Sequence, residues 1–243
     1  MKENLEYFKK VLKFTYYTSN TIAGVFSTGY LMSSLKFDEK ARNDVFKKYL
    51  DNWGRQSLFG VDIEVIYEDK EVFGKGENFL FLSNHRSLAD VLIIFATAPQ
   101  SVRFVAKKSL FKIPFFAHAM RYIGIFEIDR HNRNNAIKTL NLAAKRLKNG
   151  YDSVVMFPEG TRNEKNGLLH FKKGAFHLAI ESQVSIVPVT IIGSDKVLPK
   201  SSWKMKDEKV KIYYGKPISV KGLNKEDIPE LIEKVRERIL KYL

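Results

Sequence analysis

The spacing of apolar residues divides the chain into two parts. Over residues 1–55 the period is helical. Leu5, Phe8, Leu12, Thr15 and Tyr16 fall on one helical face, with Lys2, Lys9, Lys10 and Lys13 elsewhere around it. A second run, 21–35, carries Ile22, Val25, Phe26, Tyr30, Leu31 and Met32. Ser, Thr, Gly and Asn break it too often for a spanning helix, which needs about 18 clean apolar residues. A third amphipathic helix, near 38–53, presents Val45, Phe46, Tyr49, Leu50 and Trp53. Aromatic, lysine-flanked helices suit a membrane interface, with lysine stems reaching toward headgroups. A helical hairpin packed on the body of the protein is the alternative.

From Val61 onward short apolar runs alternate with helical periods. Strands are predicted over 61–67, 79–82, 103–106, 124–128, 153–157, 186–192 and 210–214. A helix over 132–148 places Ile137, Leu140, Ala144 and Leu147 on one face, with Gly150 as its stop. Further helices are expected after residue 87, over 174–183, and at the C-terminus, where Ile228, Leu231, Ile232, Val235 and Ile239 share a face. The pattern is that of an α/β sheet with helices on both faces, over 56–243, preceded by a helical segment over 1–55. Pro188 inside strand 186–192 marks an edge, a bulge or a shaped wall.

Polar chemistry collects at the strand ends. Strand 79–82 is followed by Asn84-His85-Arg86-Ser87-Leu88-Ala89-Asp90 and then an apolar helix. Five residues at about 100° each would set His85 and Asp90 roughly 140° apart on a regular helix, so they meet only if His85 lies in the turn before it. Ser87 as N-cap makes Asp90 the N3 residue of a capping box. Asp90 accepting from one ring nitrogen of His85 would leave the other free to take a proton. Equally open from these seven residues is a turn histidine beside an aspartate that only caps.

Phe157-Pro158-Glu159-Gly160-Thr161-Arg162 follows strand 153–157 directly. Pro158 and Gly160 force a tight turn, Gly160 lets backbone approach a ligand, and Arg162 offers a planar fork to a phosphate. Taken alone, the hexapeptide also fits a surface turn with a solvated arginine. Asp129-Arg130 ends strand 124–128 before a helix, where arginine and helix N-terminus make an anion site or the two residues merely cap and pair at the surface, and Lys107-Lys108 follow strand 103–106. Basic side chains at three strand ends, with His85 at a fourth, predict a phosphate pocket beside a base. His118, His131, His170 and His177 lack metal-ligand spacing and are expected to be structural or superficial, with no metal.

Composition narrows the partners. Lys and Arg outnumber Asp and Glu by 41 to 27, a net charge of +14, which favours phosphate esters, acidic carrier proteins, anionic lipid or nucleic acid. The aromatics fall mainly on apolar faces and no recognition motif is present, which argues against nucleic acid. With no cysteine, disulfides, thiolate zinc sites and a cysteine nucleophile are excluded. Nor is there a Gly-x-Ser-x-Gly elbow, a Gly-x4-Gly-Lys loop or a dinucleotide fingerprint. The N-terminus lacks a compact apolar core with a small-residue cleavage site, so an intracellular location is expected.

In order, Asn-His-Arg-Ser-Leu-Ala-Asp, Gly-Ile-Phe-Glu-Ile-Asp-Arg (124–130), Phe-Pro-Glu-Gly-Thr-Arg and Val-Pro-Val-Thr-Ile (187–191) resemble the glycerolipid acyltransferase family, most closely the bacterial 1-acyl-sn-glycerol-3-phosphate acyltransferases. The resemblance spans roughly residues 60–215, and departs at Glu127 and at Asn163. It implies the family's mixed, largely parallel sheet flanked by helices. His85 would be the general base and Asp90 its orienter. Arg162 with Glu159, Gly160 and Thr161, together with Arg130, would bind the acceptor's phosphate, and Lys107 matches a phosphate-contacting position less tightly. The implied reaction moves an acyl chain from acyl carrier protein or acyl-CoA to the 2-hydroxyl of lysophosphatidic acid. It needs no cofactor, and its setting would be an anionic membrane surface at the cytoplasmic face of the cell membrane, peripheral or monotopic. Other acceptors (glycerol 3-phosphate, a lysophospholipid, a lyso-aminolipid) and a non-catalytic basic module binding membrane or nucleic acid are the competing readings.

Overall fold

The computed structural model describes residues 39–243, apart from 75, 114, 115, 151 and 203, and in the N-terminal segment residues 5, 7–9, 11, 12, 14–16, 18–20, 22, 23 and 26, all helical. Seven strands form one sheet: β1 Asp62–Tyr67, β2 Leu80–Ser83, β3 Val102–Lys107, β4 Phe126–Ile128, β5 Ser153–Met156, β6 Ile186–Ile192 and β7 Lys209–Tyr214. Their order is β1-β7-β6-β2-β5-β3-β4. From β6 to β4 all neighbours are parallel; β7 runs antiparallel to β6, and β1 parallel to β7. The sheet is therefore mixed and largely parallel, and each apolar run read from the sequence is one of its strands.

Burial on both faces explains why the central strands read as unbroken apolar runs. Alternate residues of the β2 region part company: Phe79 and Phe81 enter one core, Leu80 and Leu82 the other. The first core is covered by α1 (Glu39–Ser57) and α2 (Ala89–Thr97), through Phe46, Leu50, Leu92 and Ile93. After the short α3 (Phe116–Tyr122), the second core is covered by α4 (Arg133–Lys148), α5 (Gly174–Ser182) and, beyond the one-turn α6 (Ser194–Val197), α7 (Ile228–Leu240). Each fully buried Leu, Ile or Phe stabilises the fold by about 1.5–3 kcal/mol, so two opposed apolar faces on β2 commit it to the middle of the sheet.

Helix α1 belongs to this body, and the boundary drawn at residue 55 falls inside it. Gly54 permits the crossing with α2: a Cβ there would lie 2.6 Å from the Leu92 carbonyl oxygen. Near the amino ends of β3 and β5, Arg103, 1% exposed, donates to Asp152 at 3.1 Å and to Asn43 of α1 at 2.8 Å, fastening α1 to the sheet. The N-terminal helix meets α1 where Trp53 Nε1 donates to Thr18 Oγ1 at 3.0 Å. Most of the predicted run 21–35 lies outside the described residues, and among these no helix is long and apolar enough to cross a membrane.

Two expectations change. Pro188 marks neither edge nor bulge, because β6 is central, between β7 and β2. The ladder to β7 ends at Val189 with Tyr214, and the Pro188 carbonyl accepts from Gly215 N at 2.9 Å. The missing N–H therefore faces the side where β7 has run out. Helix α3 and the 3-10 turns Glu71–Gly74 and Lys108–Lys112 were not anticipated, being too short to express a period.

Candidate active site

Strands β2, β5, β3 and β4 are parallel, so their carboxyl ends share one edge of the sheet. From β2 the chain leaves to α2 on one face; from its neighbour β5 it leaves to α5 on the other. Connections departing to opposite faces open a crevice between adjacent strand ends, where α/β proteins usually bind ligands. A cavity of about 510 Å³ lies there, and His85, Lys107, Arg130, Gly160, Thr161 and Arg162 all line it. The four basic or titratable strand ends expected from the sequence do converge.

His85 lies in the turn, outside the helix, and its Nδ1 is 2.8 Å from Asp90 Oδ2. That oxygen also accepts the main-chain amides of Arg86 at 2.8 Å and Ser87 at 3.0 Å. An oxygen already receiving two N–H groups meets Nδ1 as an acceptor, which puts the ring proton on Nδ1 and the free lone pair on Nε2. Ser87 Oγ accepts from Ala89 N at 3.1 Å and donates to the Leu198 carbonyl at 2.7 Å, which anchors the turn. The N-cap position falls one residue later than expected, at Leu88, and the capping box is half made, since Ser87 N donates to Asp90 but Ser87 Oγ does not receive the Asp90 amide. The preceding Asn84 completes a backbone-like exchange with Ile191, donating to its carbonyl and accepting from its amide, both at 2.8 Å.

Glu159 departs from its expected phosphate-binding role. It is 3% exposed and absent from the cavity wall, and its two oxygens accept the amides of His85 at 2.9 Å and Leu169 at 2.8 Å. A carboxylate repels a phosphate in any case; here it joins the β2 turn to the β5 turn. Burial holds its carboxyl above the usual range, against the two amide bonds. The Asn163 amide adds a second tie, donating to the His85 carbonyl at 2.7 Å.

Arg130 Nη1 donates to the Gly160 carbonyl, and desolvation lowers its pKa. Gly160 has φ +69°, a left-handed conformation that favours glycine, and the space a Cβ would take is filled by the Lys172 side chain, 2.8 Å away at Cε. Lys107 ends β3 and faces the cavity, while Lys108 pairs outward with Asp129 at 2.9 Å. The remaining four histidines are exposed.

Three contributors escaped the sequence reading. Phe157 stacks on the His85 ring, centroids 4.0 Å apart and planes 15° from parallel. Lys172 and Lys200 also line the cavity. A Lys-Lys pair just before the predicted helix at 174 was an available signal for Lys172; Lys200 sits in an irregular loop with none. The deep wall is apolar, from Leu50, Trp53, Phe95, Phe104, Met120 and Ile123, and Thr18 and Ile22 of the N-terminal segment reach it.

Comparison with known proteins gives the family and the fold. Residues 64–192 match the acyltransferase family. The 1-acyl-sn-glycerol-3-phosphate acyltransferase of Saccharomyces cerevisiae is 32% identical over 188 residues, 76% of this chain and 61% of its own length. That of Haemophilus influenzae is 33% identical over 206 residues, 84% of this chain and 82% of its own. The crystal structure of the 1-acyl-sn-glycerophosphate acyltransferase PlsC from Thermotoga maritima superposes with a TM-score of 0.78 at 27% identity, covering 98% of this chain and 96% of that one.

Proposed function

The chain belongs to the acyltransferase family, and from that premise we propose that it transfers an acyl chain from a thioester to the 2-hydroxyl of 1-acyl-sn-glycerol-3-phosphate, giving phosphatidic acid. The observation that carries this reading is a histidine whose Nδ1 is held by Asp90, opening on the same cavity as Arg130 and Arg162.

An alcohol's pKa lies far above 7, so attack needs a base. Nε2 of His85 takes the hydroxyl proton as the oxygen attacks the thioester carbonyl; Asp90 stabilises the imidazolium that forms. The C–S bond breaks, and the departing thiolate takes that proton back. A thioester is already activated, so neither metal nor covalent nucleophile is needed. Arg162 and Arg130, with Lys107 and the Gly160–Thr161 turn, hold the acceptor's phosphate and convert binding energy into orientation of its hydroxyl. The apolar wall takes hydrocarbon. We assign the exposed Leu5, Phe8, Leu12 and Tyr16 to a membrane surface, from which a single-tailed acceptor enters and to which the two-tailed product returns.

The test is transfer of a labelled acyl group to lysophosphatidic acid in liposomes by wild type and His85→Ala. Phosphatidic acid from wild type alone is the expected result. Equal turnover by both removes His85 as base, and product only from other acceptors replaces the substrate.

A further inference from the structure

We propose that the outer surface of α4 and α5 is the docking face for the acyl donor, and that this donor is an acidic carrier protein bearing the chain on a phosphopantetheine arm. The inference rests on the acyltransferase reading above and names the partner that reaches the site.

Basic residues differ in how they are compensated. Several outside α4 and α5 are paired: Lys108 with Asp129, Arg121 with Glu127, Lys200 with Glu164, Arg86 with Asp195. Helix α4 contains Arg133, Lys138, Lys145, Arg146 and Lys148 and no Asp or Glu. Arg146 is committed to the buried Asp152. Among the described residues no ion pair involves Arg133, Lys138, Lys145, Lys148, Lys173 or Lys225. Arg133, Lys173 and Lys225 converge on exposed His177, whose pKa is lowered by desolvation first and then by these three cations. On the outer surface Leu142, 55% exposed, shares one helical face with Lys138 and Lys145 at spacings of four and three. An exposed leucine between unpaired lysines is complementary to an acidic helical surface that carries an apolar residue.

The size of the face separates the candidates. From Arg133 to Lys148 the helix runs about 22 Å at 1.5 Å per residue, which is longer than one nucleotide can engage. A membrane would have to touch both sides of the sheet: the exposed apolar residues of the N-terminal helix are tied to α1 through Thr18 and Trp53, whereas α4 and α5 cover the opposite core. The inner side of the same helices walls the cavity, through Ala136 and Leu140 of α4 and Gly174 and Ala175 of α5. A carrier seated outside would therefore lie one helix layer from the cavity, on the face opposite the α1 side from which the acceptor enters.

The experiment pairs wild type with the triple variant Lys138→Glu, Lys145→Glu, Lys173→Glu, all exposed and outside the cavity wall. Binding of fluorescently labelled apo acyl carrier protein is followed by anisotropy at several salt concentrations, alongside turnover with acyl carrier protein and with acyl-CoA. Expected is salt-sensitive binding to wild type, weakened about tenfold or more in the variant. The KM for acyl carrier protein should rise correspondingly, with kcat and the lysophosphatidic acid KM unchanged. Equal carrier binding by both proteins, or none by wild type, overturns the proposal. So does a matching rise in the acyl-CoA KM, which would make the face a coenzyme site, or a loss of liposome binding by the variant, which would make it a membrane face. If neither protein acylates lysophosphatidic acid, the reaction assignment fails while the binding comparison still decides the docking face.

Discussion

Glu159 Oε1 accepts the main-chain amide of His85 at 2.9 Å, so the turn after β5 sets the position of the base that follows β2. Its Oε2 accepts the Leu169 amide, and the buried carboxylate lies off the cavity wall. Glu159→Gln keeps one acceptor but points an NH2 group at an N–H donor. An unsatisfied buried donor costs about 1–3 kcal/mol, or about 2–4 °C in melting temperature per kcal/mol for a chain of this size. The expected kinetic signature is a kcat lowered about tenfold or more with the acceptor KM nearly unchanged. A raised KM with normal kcat would return Glu159 to the phosphate.

Arg162 lines the cavity with Arg130 and Lys107, and among the described residues no hydrogen bond or ion pair occupies its fork. Arg162→Ala should therefore remove a charge-assisted contact worth about 1.5–3 kcal/mol and raise the acceptor KM about ten- to hundredfold. Arg162→Lys, which keeps charge but not the planar fork, should recover only part of that. Steady-state kinetics against lysophosphatidic acid concentration reads both, and an unchanged KM in the alanine variant would move the phosphate elsewhere.

Phe8 and Leu12 are more than half exposed on the N-terminal helix, at 57% and 53%. The double variant Phe8→Glu, Leu12→Glu replaces apolar contact with charge and should weaken co-sedimentation with anionic liposomes severalfold. Circular dichroism should be unaltered. Undiminished sedimentation would detach this helix from the membrane.

Glu68, just after β1, closes the C-terminus onto the sheet: it accepts from Lys241 at 2.8 Å, from the Tyr242 hydroxyl, and from the Lys216 amide at 2.8 Å. Burial alone would raise its pKa, but these bonds bring it down to about 2. A carboxyl whose folded pKa is depressed stabilises above its unfolded pKa, and the contribution is lost as pH falls toward the folded value. Solvent screening limits this to about 1 kcal/mol. Glu68→Gln should therefore lower stability in denaturant titrations at pH 7, with the gap closing between about pH 4.5 and 2. A gap independent of pH would mean the loss is packing rather than charge.

The strands, the long helices and the chemistry at the strand ends were legible because each is written in a local rule. An apolar run reads as a buried strand whatever surrounds it, and a helix over 133–148 needs only its own period. The gap of five residues between His85 and Asp90 even implied that the histidine lies outside the helix, since no regular helix brings that spacing together. What the sequence by itself determined was thus the set of elements and the residue types at their ends. The tertiary structure decided what those residues meet. Pro188 turned from an edge signal into a central residue once β7 was seen to stop beside it. Glu159 turned from a ligand contact into a tie because its orientation depends on two amides, of His85 and Leu169, that lie 74 and 10 residues away. Phe157 became the platform under His85 because β2 and β5 are neighbours in the sheet. Which strands adjoin, and which way each turn side chain faces, follow from how two apolar faces are covered at once, a property of the packed whole that no single segment encodes.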